Sequence, residues 1–149
     1  MFSTQRTNSL HIIFKELIVL LDKFLEKRDG EEHLFYDQFN KLDDIKNAVI
    51  CFDSKEAIGC GSFKKYDNKT VEIKRMFVKP NHRGKGAATL VLKELEKWAK
   101  ENNYFSAVLE TVKDLPEGIA IYIKNGYTLI PNFGQYKNIE KSVCIHKNL

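Results

Sequence analysis

No stretch of this 149-residue sequence approaches the 18 or more apolar residues of a membrane span. The most apolar run, residues 10–25, is interrupted by Lys15, Glu16, Asp22 and Lys23, so no membrane partner is expected. The first nine residues are polar and no small-residue cleavage site follows the apolar run, so no signal peptide is expected and the location reads as cytoplasmic. Cysteine is scarce. Cys51, Cys60 and Cys144 are odd in number, widely spaced and each set in an apolar strand-like segment, which suits reduced core residues rather than disulfides or metal ligands. The histidines His11, His33, His82 and His146 lack metal-ligand spacing, and no metal site is expected. Linkers, repeats and low-complexity segments are also missing, so residues 1–149 read as one domain. The net charge of +4 is too small to argue for nucleic acid, and no aromatic-basic groove or recognition-helix pattern accompanies it. It suits a phosphorylated ligand better.

What is present is an alternation of element types in a chain that is 43% hydrophobic and 30% charged. A short strand is expected at residues 2–6. A helix over 10–27 follows, capped by Asn8 or Ser9, with Leu10, Phe14, Leu17, Leu21 and Phe24 on one face and a stop at Arg28-Asp29-Gly30. A shorter helical piece is expected at 33–42. Three strands come next, 47–53, 57–66 and 71–78, divided by the turn signals Asp53-Ser54-Lys55 and Asp67-Asn68-Lys69. They predict an antiparallel meander. Then the grammar changes to a helix over 87–100, a strand at 106–111, and a helix over 116–124 with Pro116 in its first turn. Strands at 127–130 and 142–147 close the chain. The sum is a mixed α/β fold: a mixed central sheet, meander first and strand-helix-strand second, with helices on both faces.

One helix starts oddly. Arg83, Gly84, Lys85, Gly86, Ala87 and Ala88 offer no Ser, Thr or Asp cap, and they include two glycines, which disfavour helix. A strand, a proline turn and a glycine-rich helix start leave bare backbone N–H groups at a strand's carboxyl end. Such groups and the helix dipole attract anions, and small residues let a phosphate come close while Arg83 and Lys85 add charge. The plain alternative is a tight turn with a solvated basic patch. Neither the P-loop pattern nor G-x-G-x-x-G of a dinucleotide fold is present.

Arg83-x-x-Gly86-x-Ala88, after a strand and "VKP", resembles the acetyl-CoA signature [Q/R]-x-x-G-x-[G/A] of the GNAT superfamily of N-acetyltransferases. "EIKRMFV" at 72–78 and "AIYIKNGY" at 120–127 are similar to two further family segments, in the family's order. The ending "GYTLIPNFGQY…SVCIHKNL" resembles a bacterial subgroup acting on small substrates. The resemblance implies acetyl-CoA as co-substrate, lying in a V-shaped opening of the sheet between strands 71–78 and 106–111. By the same resemblance Glu72 occupies the position of a catalytic base and Tyr122 that of a general acid near the cofactor sulfur. Backbone N–H groups at Met76, Phe77 and Val78 would face the acetyl oxygen, and Arg83, Gly84, Lys85, Gly86, Ala87 and Ala88 would hold the pyrophosphate. Glu110 is the alternative carboxylate. The family's asparagine ahead of the tyrosine helix is replaced here by Lys113-Asp114-Leu115-Pro116.

The residues by themselves leave other roles open. Alternation puts Glu72, Lys74, Met76 and Val78 on one face, where Glu72 can pair with Lys74 or a neighbouring strand. Tyr122 can be a packed helix aromatic. The expected function is acetyl transfer to a primary amine of a small molecule or peptide by direct attack in a ternary complex. The alternative is a non-catalytic acyl-CoA-binding module on the same fold, and a homodimer is compatible with either. Residues 33–40 and 131–136, both aromatic with amide or carboxylate groups, are the expected acceptor side.

Overall fold

The computed structural model describes residues 1–29, 45–113 and 115–149. In chain order it contains β1 (Phe2–Thr7), α1 (Ile12–Asp29), β2 (Asn47–Asp53), β3 (Glu56–Lys65), β4 (Thr70–Val78), α2 (Ala87–Glu101), β5 (Ser106–Val112), α3 (Pro116–Lys124), β6 (Thr128–Ile130) and β7 (Ser142–Asn148). The seven strands form one sheet in the order β1-β2-β3-β4-β5-β7-β6. β1 with β2 and β2 with β3 run antiparallel, and β4 with β5 runs parallel. A parallel pair needs a crossover, which α2 provides. The last strand does not extend an edge. It inserts between β5 and β6, antiparallel to both. The mixed α/β expectation therefore holds, whereas the expected helical piece at 33–42 lies outside the described residues. No helix among them is long and apolar enough to cross a membrane.

The start of α1 differs from the sequence expectation. Asn8 Oδ1 accepts the N–H of Leu10 at 2.9 Å in a tight turn, and His11 Nδ1 accepts the N–H of Ile13 at 3.2 Å. Histidine thus fills the capping role expected of Asn8 or Ser9, and the helix begins two residues later. Leu10, expected on the buried face, is left 77% exposed, while Phe14, Leu17 and Leu21 enter the core.

The described chain divides into two compact units. The first combines Met1–Lys64 with Lys74–Leu95. On one face of its strands Phe14, Leu17, Ile18 and Leu21 of α1 pack with Ala48, Ile50, Cys60 and Phe77. The neighbouring Gly61 points to the opposite face, as alternation requires. A Cβ there would press on Met76 Sδ and stand 2.8 Å from Val91 Cγ1 and 3.0 Å from Leu95 Cδ1. Glycine is what lets α2 lie this close, and helices cover both faces of this unit. The second unit combines Lys65–Ile73 with Glu96–Leu149. β5 and β7 pair along their whole length, and Glu96 of α2 accepts from Tyr127 Oη at 2.9 Å and Lys147 Nζ at 2.8 Å. Two donors satisfy this buried carboxylate, and removal of Lys147 would leave its charge unmatched. All three cysteines are buried and free. Burial pushes the Cys60 thiol up to about 12 and that of Cys144 up to about 11, so neither is a ready nucleophile.

Candidate active site

The odd helix start has a structural explanation within the first unit. Pro80–His82 forms a single 3-10 turn after β4. Arg83 then turns its side chain back: Nε donates to the carbonyl of Val78 at 2.8 Å, and the guanidinium lies 5.1 Å from the ring centre of Phe24 and 5.9 Å from that of Phe77. In this arrangement Arg83 fastens the turn to the strand end. Gly84 and Gly86 have φ of 77° and 91°, a region that side chains with a Cβ avoid. A Cβ at either position would meet nothing within 4 Å. The glycines are therefore required by backbone conformation and border open space, not a packed wall. Gly86 supplies the first helical acceptor, taking the N–H of Leu90 at 3.1 Å. Among the described residues no acceptor takes the N–H groups of Lys85, Gly86, Ala87 or Ala88, and the first turn of α2 carries no acidic residue. Four bare donors at the positive end of a fifteen-residue helix, beside two open glycines, make a site shaped for an anion.

Upstream, β4 does not alternate regularly. Arg75 sits at φ 61°, a left-handed conformation inside a strand that costs a non-glycine residue about 1–3 kcal/mol. Ser62 Oγ donates to the carbonyl of Lys74 at 2.8 Å and Cys60 Sγ to that of Arg75 at 3.5 Å, so side chains stand in where the ladder is disturbed. This left-handed residue falls inside the segment where Glu72, Lys74, Met76 and Val78 were expected to share one face. Met76 packs at Gly61, toward α2, while Phe77 joins the α1 core. Arg75 is directed to α1, where Nη2 meets Asp22 Oδ1 at 2.6 Å with the arginine side chain only 2% exposed. Its Nε and Nη1 are buried without an acceptor among the described residues. Each unmet buried donor costs about 1–3 kcal/mol. Sequence reasoning passed over Arg75. The signal was a charge in the middle of a strand otherwise built for burial.

In the second unit the two candidate carboxylates share one neighbourhood. Glu72 is buried and lies in register with Val108 of β5. Two residues further, Glu110 stands opposite Cys144 and accepts from Ser142 Oγ at 2.6 Å. After burial itself, the charges of Glu110 and Glu72 both raise the Cys144 thiol, and both hold the Tyr136 phenol above its ordinary range. Tyr136 belongs to the segment expected on the acceptor side. Its ring meets Phe133 edge-on at 5.7 Å. Asn132 Nδ2 reaches the carbonyls of Tyr136, Ile139 and Ser142 at 3.1–3.2 Å and so ties down the loop that carries it.

Tyr122 is buried in α3, with its ring 5.8 Å from that of Tyr127 at 71°. Burial holds its phenol well above the usual tyrosine range. No residue among those described hydrogen-bonds its hydroxyl. Leu115 at the start of α3 offers no side-chain cap, and Asp114 lies outside the described residues. No His, Cys, Asp and Glu group able to hold a metal ion occurs among the described residues.

Comparison with known proteins supplies the remaining evidence. The model of the acetyltransferase (GNAT) family matches residues 14–127. The chain is 29% identical over 147 residues to the IAA acetyltransferase of Azospirillum brasilense, covering 97% of this chain and 95% of that protein. It is also 29% identical over 119 residues to the uncharacterized N-acetyltransferase YobR of Bacillus subtilis, covering 75% of this chain and 46% of that protein. An uncharacterized N-acetyltransferase of Dictyostelium discoideum is matched over 27% of its length, so the chain spans less than half of these two curated relatives. Among solved structures, a Klebsiella pneumoniae protein provisionally assigned as an acyl-CoA N-acyltransferase superposes with a TM-score of 0.83 at 27% identity, covering 100% of this chain and 98% of that one. A GNAT family acetyltransferase from Elizabethkingia anophelis, solved with acetyl-CoA bound, superposes with a TM-score of 0.74 at 19% identity, covering 99% of this chain and 98% of that one. At that identity the last likeness concerns the fold.

Proposed function

This chain belongs to the acetyltransferase (GNAT) family, and we propose that it moves an acetyl group from acetyl-CoA to a primary amine of a small molecule, by direct attack in a ternary complex. Both compact units then serve one catalytic domain. The observation that carries the reading is the helix start of α2: bare N–H groups at Lys85, Gly86, Ala87 and Ala88 beside two open left-handed glycines. The fit to a pyrophosphate is chemical, since the site offers donors, the dipole's positive end and room, and the helix's first turn carries no acidic residue. Arg83 contributes through the turn it holds in place. Backbone N–H groups near Met76, Phe77 and Val78 receive the thioester oxygen, whose developing charge needs a preorganised donor.

In the reaction the amine nitrogen bonds to the thioester carbon and loses a proton, while the carbon–sulfur bond breaks and the thiolate leaves. An amine of pKa near 10.4 is mostly protonated at pH 7, and its neutral form lies roughly 4 to 5 kcal/mol higher under a base-free regime. Glu72 takes that ammonium proton through a water, and the second proton, lost as the amide forms, passes to solvent water. Glu110 is the carboxylate next in line. Tyr122 donates a hydrogen bond to the departing sulfur. Proton transfer from an ordinary phenol to a thiolate is already uphill by roughly 2 kcal/mol. Burial of Tyr122 steepens that climb.

The test is thiol release from acetyl-CoA against a panel of amines, with Tyr122→Phe as the site control. The full chain should release thiol only when an amine is present, and the variant should be slower by roughly ten- to a thousandfold with acetyl-CoA affinity unchanged. A chain that binds acetyl-CoA and releases no thiol with any amine is a binding module. A variant as fast as the parent where chemistry limits the rate returns Tyr122 to packing.

A further inference from the structure

Tyr122 has no hydrogen bond of its own to aim its hydroxyl. Among the described residues nothing pairs with that group, so its direction is set by what its ring and backbone meet. Both meet Tyr127. The two rings lie edge to face, 5.8 Å apart at 71°, an arrangement that aromatic pairs prefer. The carbonyl of Tyr122 also accepts the N–H of Tyr127 at 3.0 Å. Tyr127 is held in turn. It is 1% exposed, its hydroxyl donates to Glu96 Oε2 at 2.9 Å, and Glu96 Oε1 accepts from Lys147 Nζ at 2.8 Å. The Lys147 ammonium also lies 5.7 Å from the centre of the Tyr127 ring. Lys147, Glu96, Tyr127 and Tyr122 thus form one connected chain inside the second unit.

Stability alone does not account for the polar part of this chain. A phenylalanine at 127 would fill the same space, and apolar residues at 96 and 147 would avoid the cost of desolvating charges. Apolar replacements of similar volume are often as stable as a buried ion pair, or more so. What a fully paired polar network supplies is a single geometry, because each donor and acceptor fixes its partner's direction. The phenol of Tyr127 is a steady member of it. Burial first, and then the charge of Glu96, hold it well above the usual tyrosine range, so its proton stays in place. The fixed ring is the surface against which Tyr122 rests. Accuracy there matters, since misplacing a reacting group by about 1 Å can cost about a hundredfold in rate.

We propose that Glu96 and Lys147 are positioning residues for acetyl transfer: they lock the Tyr127 ring, and the locked ring aims the Tyr122 hydroxyl at the departing sulfur. The target of that aim rests on the acetyl-transfer reading. The lock itself stands on the hydrogen bonds and the ring contact. None of the three partners makes or breaks a bond in the reaction.

Two readouts test this. The first is thiol release at saturating acetyl-CoA and amine, where chemistry limits the rate, with acetyl-CoA affinity measured by calorimetry. Tyr127→Phe removes one hydroxyl and should lower the maximal rate by about three- to thirtyfold, with acetyl-CoA affinity within about twofold of the parent. Combined with Tyr122→Phe, the same exchange should cost less than about twofold more, because no hydroxyl is left to aim. Glu96→Gln keeps an oxygen that accepts from Tyr127 and should be slowed less than Tyr127→Phe. Exchanging Glu96→Leu, Tyr127→Phe and Lys147→Met together leaves no buried charge or donor unmet, so this protein should unfold no earlier than the parent and still be slow. It decides the question where Tyr127→Phe alone fails to fold. The second readout is the magnetic resonance line of the Tyr122 hydroxyl carbon in isotope-labelled protein with CoA bound, identified by its loss in Tyr122→Phe. That line should be single in the parent and in Glu96→Gln, and split or broadened in Tyr127→Phe and in the triple exchange. A Tyr127→Phe or triple-exchange protein as fast as the parent, an equal slowing with and without Tyr122→Phe, or a Tyr122 line unchanged in Tyr127→Phe each overturn the positioning. If no amine elicits thiol release, or Tyr122→Phe is as fast as the parent, the role given to Tyr122 falls. The line then decides the lock by itself: splitting keeps it, and an unchanged line removes it.

Discussion

Gly86 separates a conformational cost from a ligand cost, because its φ is 91° and the space beside it is empty of protein to 4 Å. In Gly86→Ala the added methyl strikes nothing in the protein. The penalty is confined to the backbone and amounts to about 1–2 kcal/mol for a left-handed residue. For a chain of this size that lowers the unfolding midpoint by about 2–8 °C. Acetyl-CoA, in contrast, would lose twice: the methyl occupies the approach to the pyrophosphate, and the N–H groups of Gly86 and Ala87 turn away as φ relaxes. An affinity loss of about ten- to a hundredfold is expected, or roughly 1.4 to 2.7 kcal/mol. Gly86→Glu adds a negative charge about 5 Å from the phosphates. At effective dielectrics between those of water and a protein surface this repulsion is worth about 1–3 kcal/mol for each charge met. Its loss should exceed a hundredfold, with a stability close to that of the alanine variant. Calorimetry with acetyl-CoA and thermal unfolding of the same preparations measure the two quantities separately. Acetyl-CoA affinity within about twofold of the parent in a folded Gly86→Glu protein would refute the anion cradle.

Gly61→Ala should behave in the opposite way. Its Cβ has no room between Met76, Val91 and Leu95, so overpacking by about 1–3 kcal/mol or more is expected, with acetyl-CoA affinity of the folded fraction intact; an unchanged unfolding midpoint would show that α2 yields. Glu72→Gln should slow transfer most at pH 7 and progressively less toward pH 10, since above the amine's pKa the nucleophile arrives neutral; a deficit equal at both pH values removes Glu72 as base and passes the role to Glu110. Stability should fall above pH 9. Cys60 and Cys144 are raised to about 12 and about 11, and Tyr122, Tyr127 and Tyr136 are raised also, so the unfolded chain releases these protons first. Their contribution is complete below the unfolded values near 9 to 10 and is lost as pH rises past them, by about 1.4 kcal/mol per pH unit for each group. Denaturant midpoints that are equal at pH 8 and pH 11 would contradict this burial.

Much of the fold was legible because local chemistry and burial agree. Pro116 opens α3 where the sequence places it, and the turn signals at residues 53–55 and 67–69 divide the strands β2, β3 and β4. What was illegible depends on partners distant in sequence. Leu10 looked like a core residue because its spacing from Phe14 is helical, yet a histidine cap at His11 starts the helix beyond it. The insertion of β7 between β5 and β6 is set by cross-strand pairing that no local pattern encodes. At the candidate site the bare helix start was legible, since missing caps and glycines are local features. The use of Arg83's side chain was not. Besides the charge it brings to the two glycines, it bonds the Val78 carbonyl and lies against two rings, partners that no local pattern announces. Arg75 was hidden for a similar reason. Its φ goes with hydrogen bonds from Ser62 and Cys60 on the neighbouring strand, and a period-two pattern has no way to announce its own interruption.

The burial of Tyr122 also constrains where the protons go. A phenol raised by desolvation alone stays protonated through the range in which an amine titrates, so it is a constant donor and adds no alkaline limb to the rate below about pH 10. A thiolate of pKa about 8.5 takes a proton poorly from such a group, but it accepts a hydrogen bond from it, and in a desolvated place that bond is stronger than in water. In the proposed reaction the sulfur would then leave as a stabilised anion and not as a thiol made by Tyr122. The proton that must be managed is the one on the ammonium, which has to leave before nitrogen can bond to the carbonyl carbon. In the proposed reaction Glu72, buried and in register with Val108 two residues before Glu110, would receive that proton. The pH dependence of the reaction should then be governed by the amine and its base, and the substitution that moves it is Glu72→Gln. Tyr122→Phe should lower the rate at every pH by the same factor.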